Sequence, residues 1–148
     1  MNDLNSILKT QGYICVHFNY TLTNHIELEI TINDVSGNFI IDTGASNSFV
    51  SNKLIEKFKM TSENNADAEV VGIGKDSPSA TLISHGNSVK IEAFEVVDFS
   101  FALLEMNHIN EALVTNNANQ LDGVIGGDFL KQTKAIIDYD NHLIWFKN

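Results

Sequence analysis

Asp42 is the residue of this sequence best placed to do chemistry. It follows the apolar run Phe39-Ile40-Ile41 and opens the turn Thr43-Gly44-Ala45-Ser46. Carboxylates are seldom delivered straight off a buried apolar strand, because desolvating the charge is costly unless hydrogen bonds compensate. The turn offers backbone N–H groups and the Thr43 and Ser46 hydroxyls for that purpose. Gly44, with no Cβ, lets the backbone bend close to the carboxylate. A carboxylate so held can act as a general acid or base. On Asp-Thr-Gly alone, an aspartate that merely caps a turn fits equally well.

Other reactive side chains lack partners of suitable type and spacing. The histidines, His17, His25, His85, His108 and His142, are scattered, with no His-Glu-x-x-His or paired-cysteine pattern, so neither a metal nor a cofactor is expected. Ser46 does not stand in the Gly-x-Ser-x-Gly elbow of serine hydrolases. Gly72-Ile73-Gly74 lacks the third glycine and the helix of a dinucleotide loop. Glu56, Glu63 and Asp67 read as solvated surface, and Trp145 as packing on the last strand. Cys15 is the only cysteine, which excludes a disulfide within the chain and suits a small core position on a strand.

The elements that must position Asp42 are mostly strands. Ile14, Val16 and Phe18 alternate with Cys15 and His17, and a polar turn follows at Thr21–Asn24. Ile26, Leu28, Ile30 and Ile32 alternate with Glu27, Glu29 and Thr31, the period of a half-buried strand. Asn33 to Asn38 carries hairpin chemistry before Phe39-Ile40-Ile41. Further strands are expected at Ala68–Ile73, Ala80–Ser84, Val89–Phe101 and Ala135–Phe146. Helices are expected at Asn52–Met60, capped by Ser51 with Leu54, Ile55 and Phe58 on one face, and at Asn107–Val114, ended by the polar run from Thr115 to Gln120.

At 148 residues, 43% apolar and 19% charged, with one proline at Pro78 and no linker-like stretch, the whole of 1–148 is expected to form a single domain. A net charge of −10 with no basic run repels phosphate backbones, so no nucleic-acid partner is expected; neutral or cationic peptides are easier partners. No apolar run reaches the length of a membrane span, and Met1-Asn2-Asp3-Leu4-Asn5 lacks the basic start of a secretion signal, so a cytoplasmic protein without a membrane partner is expected.

The longer string Ile40-Ile41-Asp42-Thr43-Gly44-Ala45-Ser46 resembles the active-site signature of the retropepsin-like aspartic peptidases. A second segment, Leu121 to Leu130, resembles that family's second motif, with Val124, Ile125 and Gly126 in the matching positions; there the strand ending in this glycine crosses behind the catalytic loop. Gly127 stands where retroviral members carry a structural arginine, and the run Ala135–Tyr139 with Leu143–Phe146 resembles the closing hairpin of bacterial members. Val70-Val71-Gly72-Ile73-Gly74 resembles the substrate-covering flap, although Lys75-Asp76-Ser77-Pro78 departs from the retroviral tip. The resemblance spans Ile26 to Phe146. It implies an all-β, closed retropepsin-like barrel with one or two short helices, and Val71, Gly72, Ile73 and Gly74 as flap residues that bind substrate.

It also implies a reaction. Aspartic peptidases hydrolyse amides with two facing carboxylates that share a proton, one activating water and the other hydrogen-bonding the scissile carbonyl. The sequence holds one Asp-Thr-Gly, since Asp122-Gly123 and Asp138-Tyr139 lack its turn, so the resemblance implies a homodimer with Asp42 catalytic in each copy. Thr43 is then expected to bond across the interface, and Gly44, Ala45 and Ser46 to support the loop. Peptide or protein is the implied substrate, with apolar side chains around the groove selecting hydrophobic residues beside the cut. The competing reading is a non-catalytic peptide-binding or dimerisation module on the same fold; a third is an enzyme whose only substrate is its own parent polypeptide.

Overall fold

The computed structural model describes residues 3–64 and 82–148. Helix α1 (Leu4–Thr10) comes first, capped by Asp3, whose carboxylate accepts the Ser6 N–H at 2.7 Å. Seven residues are too few for apolar spacing to announce a helix, and the sequence reading contains none here. Strands β1 (Ile14–His17) and β2 (Asn19–Tyr20) follow, then a hairpin of β3 (Ile26–Ile32) and β4 (Val35–Ile41). Along β3, Ile26, Leu28, Ile30 and Ile32 are buried as the alternation predicts.

The hairpin turn is shorter than the polar stretch from Asn33 to Asn38 suggests. Only Asn33 and Asp34 leave the ladder, with φ of 48° and 68°, the left-handed pair that matches the twist of a two-residue hairpin. Gly37 is consequently a strand residue. A Cβ there would meet the Phe58 ring at 2.6 Å and the Asp122 carboxylate at 2.9 Å, so its absence makes room for both.

Strand β5 (Phe49–Ser51) leads into a 3₁₀ turn, Asn52–Leu54. The helix expected over Asn52–Met60 stops at little more than one turn. Phe58 N–H bonds Leu54 C=O, Met60 N–H closes back on Ile55 C=O, and Lys59 takes a φ of 51° between them. That is a helix C-terminal closure arriving early. The apolar face is nevertheless as expected, with Phe58 buried and Leu54 and Ile55 packed on the core.

The chain continues through β6 (Glu63–Asn64), β7 (Leu82–Ile91), β8 (Phe94–Leu104), α2 (Asn107–Thr115), β9 (Gly123–Ile125), α3 (Gly127–Gln132), β10 (Ile136–Asp138) and β11 (Leu143–Phe146). The strand expected over Val89–Phe101 is two strands, broken by a tight turn in which Glu92 has a φ of 51°. The segment expected at Ala68–Ile73, and the start of Ala80–Ser84, lie outside the described residues.

Strands β3, β4, β9, β5, β8 and β7 pair in that order, and β7 returns to β3, so six strands close a barrel. The β4–β9 and β5–β8 pairings are parallel and the other four antiparallel. Phe39, Phe58, Phe94, Phe101, Phe129 and Phe146 fill the interior, all fully buried. Each contributes roughly 1.5–3 kcal/mol by leaving water. A three-stranded sheet, β1-β11-β10, lays Ile144 and Phe146 on this core and turns Leu143 and Trp145 toward Leu8 of α1.

Candidate active site

Strand β9 lies between β4 and β5, parallel to the first and antiparallel to the second. The chain leaving β4 must therefore cross over β9 to reach β5, and residues 42–48 make that crossing. Ile40 and Ile41 pair with Val124 and Ile125, and the Asp42 N–H continues the ladder to the Ile125 carbonyl at 2.9 Å. The two motifs are thus one structural unit, with Val124 and Ile125 buried beneath the loop that begins at Asp42.

The loop turns at once. Ala45 N–H bonds the Asp42 carbonyl at 3.2 Å, and Gly44 N–H donates to Asp42 Oδ1 at 2.9 Å. Asp42, Thr43, Gly44 and Ser46 are exposed, and Ala45 is half-buried. Among the described residues neither the Thr43 nor the Ser46 hydroxyl bonds the Asp42 carboxylate, which stands open at the surface. The sequence reading had a desolvated aspartate needing compensation; in the single chain Asp42 is beyond the end of the buried strand and keeps its contact with water.

From below, the loop is pinned to the start of α3. Gly127 N–H donates to Ala45 C=O at 2.7 Å and Asp128 N–H to Ser46 C=O at 3.1 Å. Ser46 therefore takes part through its carbonyl. Gly126 packs so closely that a Cβ would sit 2.7 Å from Asn47 C and 2.8 Å from Ala45 O. Gly123 is equally confined, against the Phe49 carbonyl and the Phe39 ring.

Two residues that the sequence reading passed over complete the arrangement. The Asp128 carboxylate accepts the Ser48 hydroxyl at 2.6 Å, the Ser48 N–H at 2.8 and 2.9 Å, and its own helix's Phe129 N–H at 2.8 Å. Ser48 Oγ in turn accepts the Gly126 N–H at 2.9 Å. An acidic residue in the first turn of a helix is a readable signal for Asp128; nothing local marks Ser48. At the far end of β9, the Asp122 carboxylate accepts Asn38 N–H at 2.7 Å and pairs with Lys57 at 3.2 Å.

Alternation along β4 puts Ile40 and Asp42 on the same face. On that face lies a cavity of about 310 Å³, walled by Ile40, Leu22, Ile109, Leu113 and Leu121, with Tyr20 and Glu27 also lining it. Helix α2, which falls where the sequence predicts it, forms the outer wall. Val71, Gly72, Ile73 and Gly74, expected to form the flap, lie outside the described residues. Among those described, no cluster of three or more His, Cys, Asp or Glu is arranged to hold a metal ion, and no helix is long and apolar enough to cross a membrane.

The sequence matches the aspartyl protease family over residues 28–129, more than half of the chain and a span that contains both motifs. The chain belongs to that family. No match was found among curated protein sequences. Aspartyl proteases of the retroviral type share its architecture. The retroviral protease-like domain of Ddi1 from Leishmania major superposes with a TM-score of 0.58 at 21% identity, over 84% of this chain and 89% of that one. A retropepsin-like aspartic protease from Rickettsia conorii gives 0.56 at 19% identity, over 91% and 89%. The EIAV protease, solved with the inhibitor HBY-793, gives 0.50 at 17%, over 81% and 98%. The barrel of this member of the aspartyl protease family is retropepsin-like, as the resemblance of the residues around Asp42 implies.

Proposed function

We propose that the protein is an aspartic endopeptidase in which residues 1–148 form one domain, that it works as a homodimer, and that Asp42 of each copy supplies one carboxylate of the catalytic pair. The observation that carries this reading is the posture of Asp42. Its backbone is bonded to Ile125 on β9, while its carboxylate is exposed and, among the described residues, engaged only by the Gly44 N–H of its own turn. A structural aspartate would be spent on its surroundings, as Asp128 is. Asp42 is held firmly and left available.

With a second copy facing it across a two-fold axis, the pair shares one proton. The ionised carboxylate takes a proton from water as the water attacks the peptide carbonyl, and the protonated one donates a hydrogen bond to the carbonyl oxygen. The proton passes on to the departing amine, with no covalent enzyme intermediate. Thr43 and Ser46, exposed on either side of Gly44, are the positions from which the loop meets its copy and stays supported. Acid favours this assembly twice, by supplying the shared proton and by reducing repulsion between two chains of net charge −10.

The same charge favours the second reading, a groove that binds peptide without cutting it. Cleavage of a diverse peptide mixture, followed by mass spectrometry from acid to neutral pH alongside sedimentation, separates the two. The peptidase reading expects cleavage that rises below neutral pH, travels with the dimer and disappears in Asp42→Asn. A folded dimer that cuts nothing leaves the binding module; full activity in a strict monomer removes the two-chain mechanism.

A further inference from the structure

The cavity on the Asp42 face of β4 sets one carboxylate, that of Glu27, between an apolar wall and a polar rim that includes Thr21, Thr23 and Asn117. Glu27 on β3 is the direct cross-strand partner of Ile40, and the two side chains share a face. Both line the cavity, together with Leu22, Ile109, Leu113 and Leu121. Among the described residues no lysine or arginine lines it and the ion pair found is Lys57 with Asp122, so none of them gives Glu27 a cation. Tyr20 and His25 are the other ionisable groups there, and His25 Nδ1 is engaged with Thr23 Oγ1 at 2.8 Å.

Such a cavity discriminates by chemistry. A leucine side chain would satisfy the walls and leave the half-buried Glu27 carboxylate partly stripped of water, at a cost. An acidic side chain would be repelled. Lysine and arginine lay an aliphatic stem along apolar walls and end in a cation, which a carboxylate receives through a charge-assisted hydrogen bond. A second depression, of about 440 Å³, begins at the same Glu27 and runs past Glu29, so the negative wall continues along β3. The position also suits a substrate: Ile40 is two residues from Asp42, about 7 Å along an extended strand, within reach of a side chain close to the cut.

We propose that this cavity is a substrate subsite for a lysine or arginine side chain, with Glu27 receiving its charge. That the occupant flanks a scissile bond rests on the peptidase reading; that it is cationic rests on the cavity alone. The apolar selectivity implied by the family resemblance is thereby narrowed at this one position.

The test uses short labelled peptides identical except for one residue, which is lysine, arginine, norleucine or glutamate, placed at each position in turn. Their affinities are measured by fluorescence anisotropy for Asp42→Asn protein with and without Glu27→Gln, and their cleavage is followed in the matching proteins that retain Asp42. At one position, lysine or arginine should bind roughly 10- to 100-fold tighter than norleucine, the range for a hydrogen bond to a charged group. The ratio should collapse in Glu27→Gln and invert toward glutamate in Glu27→Lys, which keeps the question open to test if the first variant folds poorly. No preference for a basic residue, a preference that survives both substitutions, or no binding by any peptide overturns the subsite. A Glu27-dependent preference in a protein that cuts nothing keeps the subsite and removes the peptidase; cleavage without the preference does the reverse.

Discussion

Ser48 and Asp128 are joined by three hydrogen bonds, two from the Ser48 N–H to the two carboxylate oxygens and one of 2.6 Å from its hydroxyl. Ser48 closes the loop that begins at Asp42, and Asp128 stands in the first turn of α3. The pair therefore fastens the exit of the first motif to the exit of the second. Because Ser48 Oγ also accepts the Gly126 N–H, one buried hydroxyl is donor to one motif and acceptor from it.

Removing either partner strands the other. Ser48→Ala leaves the Gly126 N–H unsatisfied and takes a donor from a half-buried carboxylate, and Asp128→Ala strands the Ser48 N–H and hydroxyl. Each should cost about 1–3 kcal/mol in urea unfolding. The double variant should cost clearly less than the sum, since both lose the same bonds. Additive losses would show that the two residues act separately.

The adjacent glycines of the second motif should behave oppositely. A Cβ at Gly126 would press within 2.8 Å of the Ala45 and Asn47 backbone, which has no room to yield, whereas at Gly127 the nearest such atom is Ala45 O at an ordinary 3.4 Å. Gly126→Ala should destabilise by roughly 1–3 kcal/mol, and Gly127→Ala, at the first position of a helix, should be neutral or slightly stabilising. Thermal melts decide the matter, and equal losses at both sites would contradict the packing described.

How legible the site was depended on how local its chemistry is. The Asp42 turn is written in consecutive residues, and its docking on Val124–Gly126 follows from two apolar strings that the family resemblance pairs. The Ser48–Asp128 bond joins residues 80 apart in sequence, and a serine in a loop announces no partner. The β3 alternation is readable, but it assigns Glu27 only to the outward face; that this face is roofed by α2 is a tertiary fact. Gly37 shows the same limit, looking like turn chemistry until Phe58 and Asp122 arrive from elsewhere in the chain to fill its place. The shortened helix after Ser51 depends on Lys59 adopting a left-handed φ, which a lysine does not advertise.

Asp42→Asn should separate activity from stability. Asp42 is exposed, and the asparagine carbonyl oxygen can still accept the Gly44 N–H, so unfolding free energy should stay within about 0.5 kcal/mol of the parent. Peptide cleavage, if Asp42 is the general base or acid, should fall by roughly 100- to 10,000-fold. A large loss of stability together with activity would make Asp42 structural.

The closing hairpin contributes a pH-dependent element of its own. Asp138, at the end of β10, is held below the usual carboxylate range by the Asn141 side-chain amide, at 2.7 Å, and by the Asn141 backbone N–H, at 3.1 Å. Both donors favour the ionised form in the folded state. A carboxyl whose folded value lies below its ordinary 3.8 binds fewer protons folded than unfolded, so its contribution is fully present above 3.8 and is lost as the pH falls through the folded value. Asp138→Ala should therefore melt below the parent protein at neutral pH, and the gap should close on acidification below 3.8. The β10–β11 ladder, Ile136 to Trp145 through Asp138 to Leu143, is the structure at stake. Melting temperatures of the two proteins across an acid titration measure this directly, and a gap that stays constant to the lowest pH would mean that Asp138 steadies the hairpin by its shape and not by its charge.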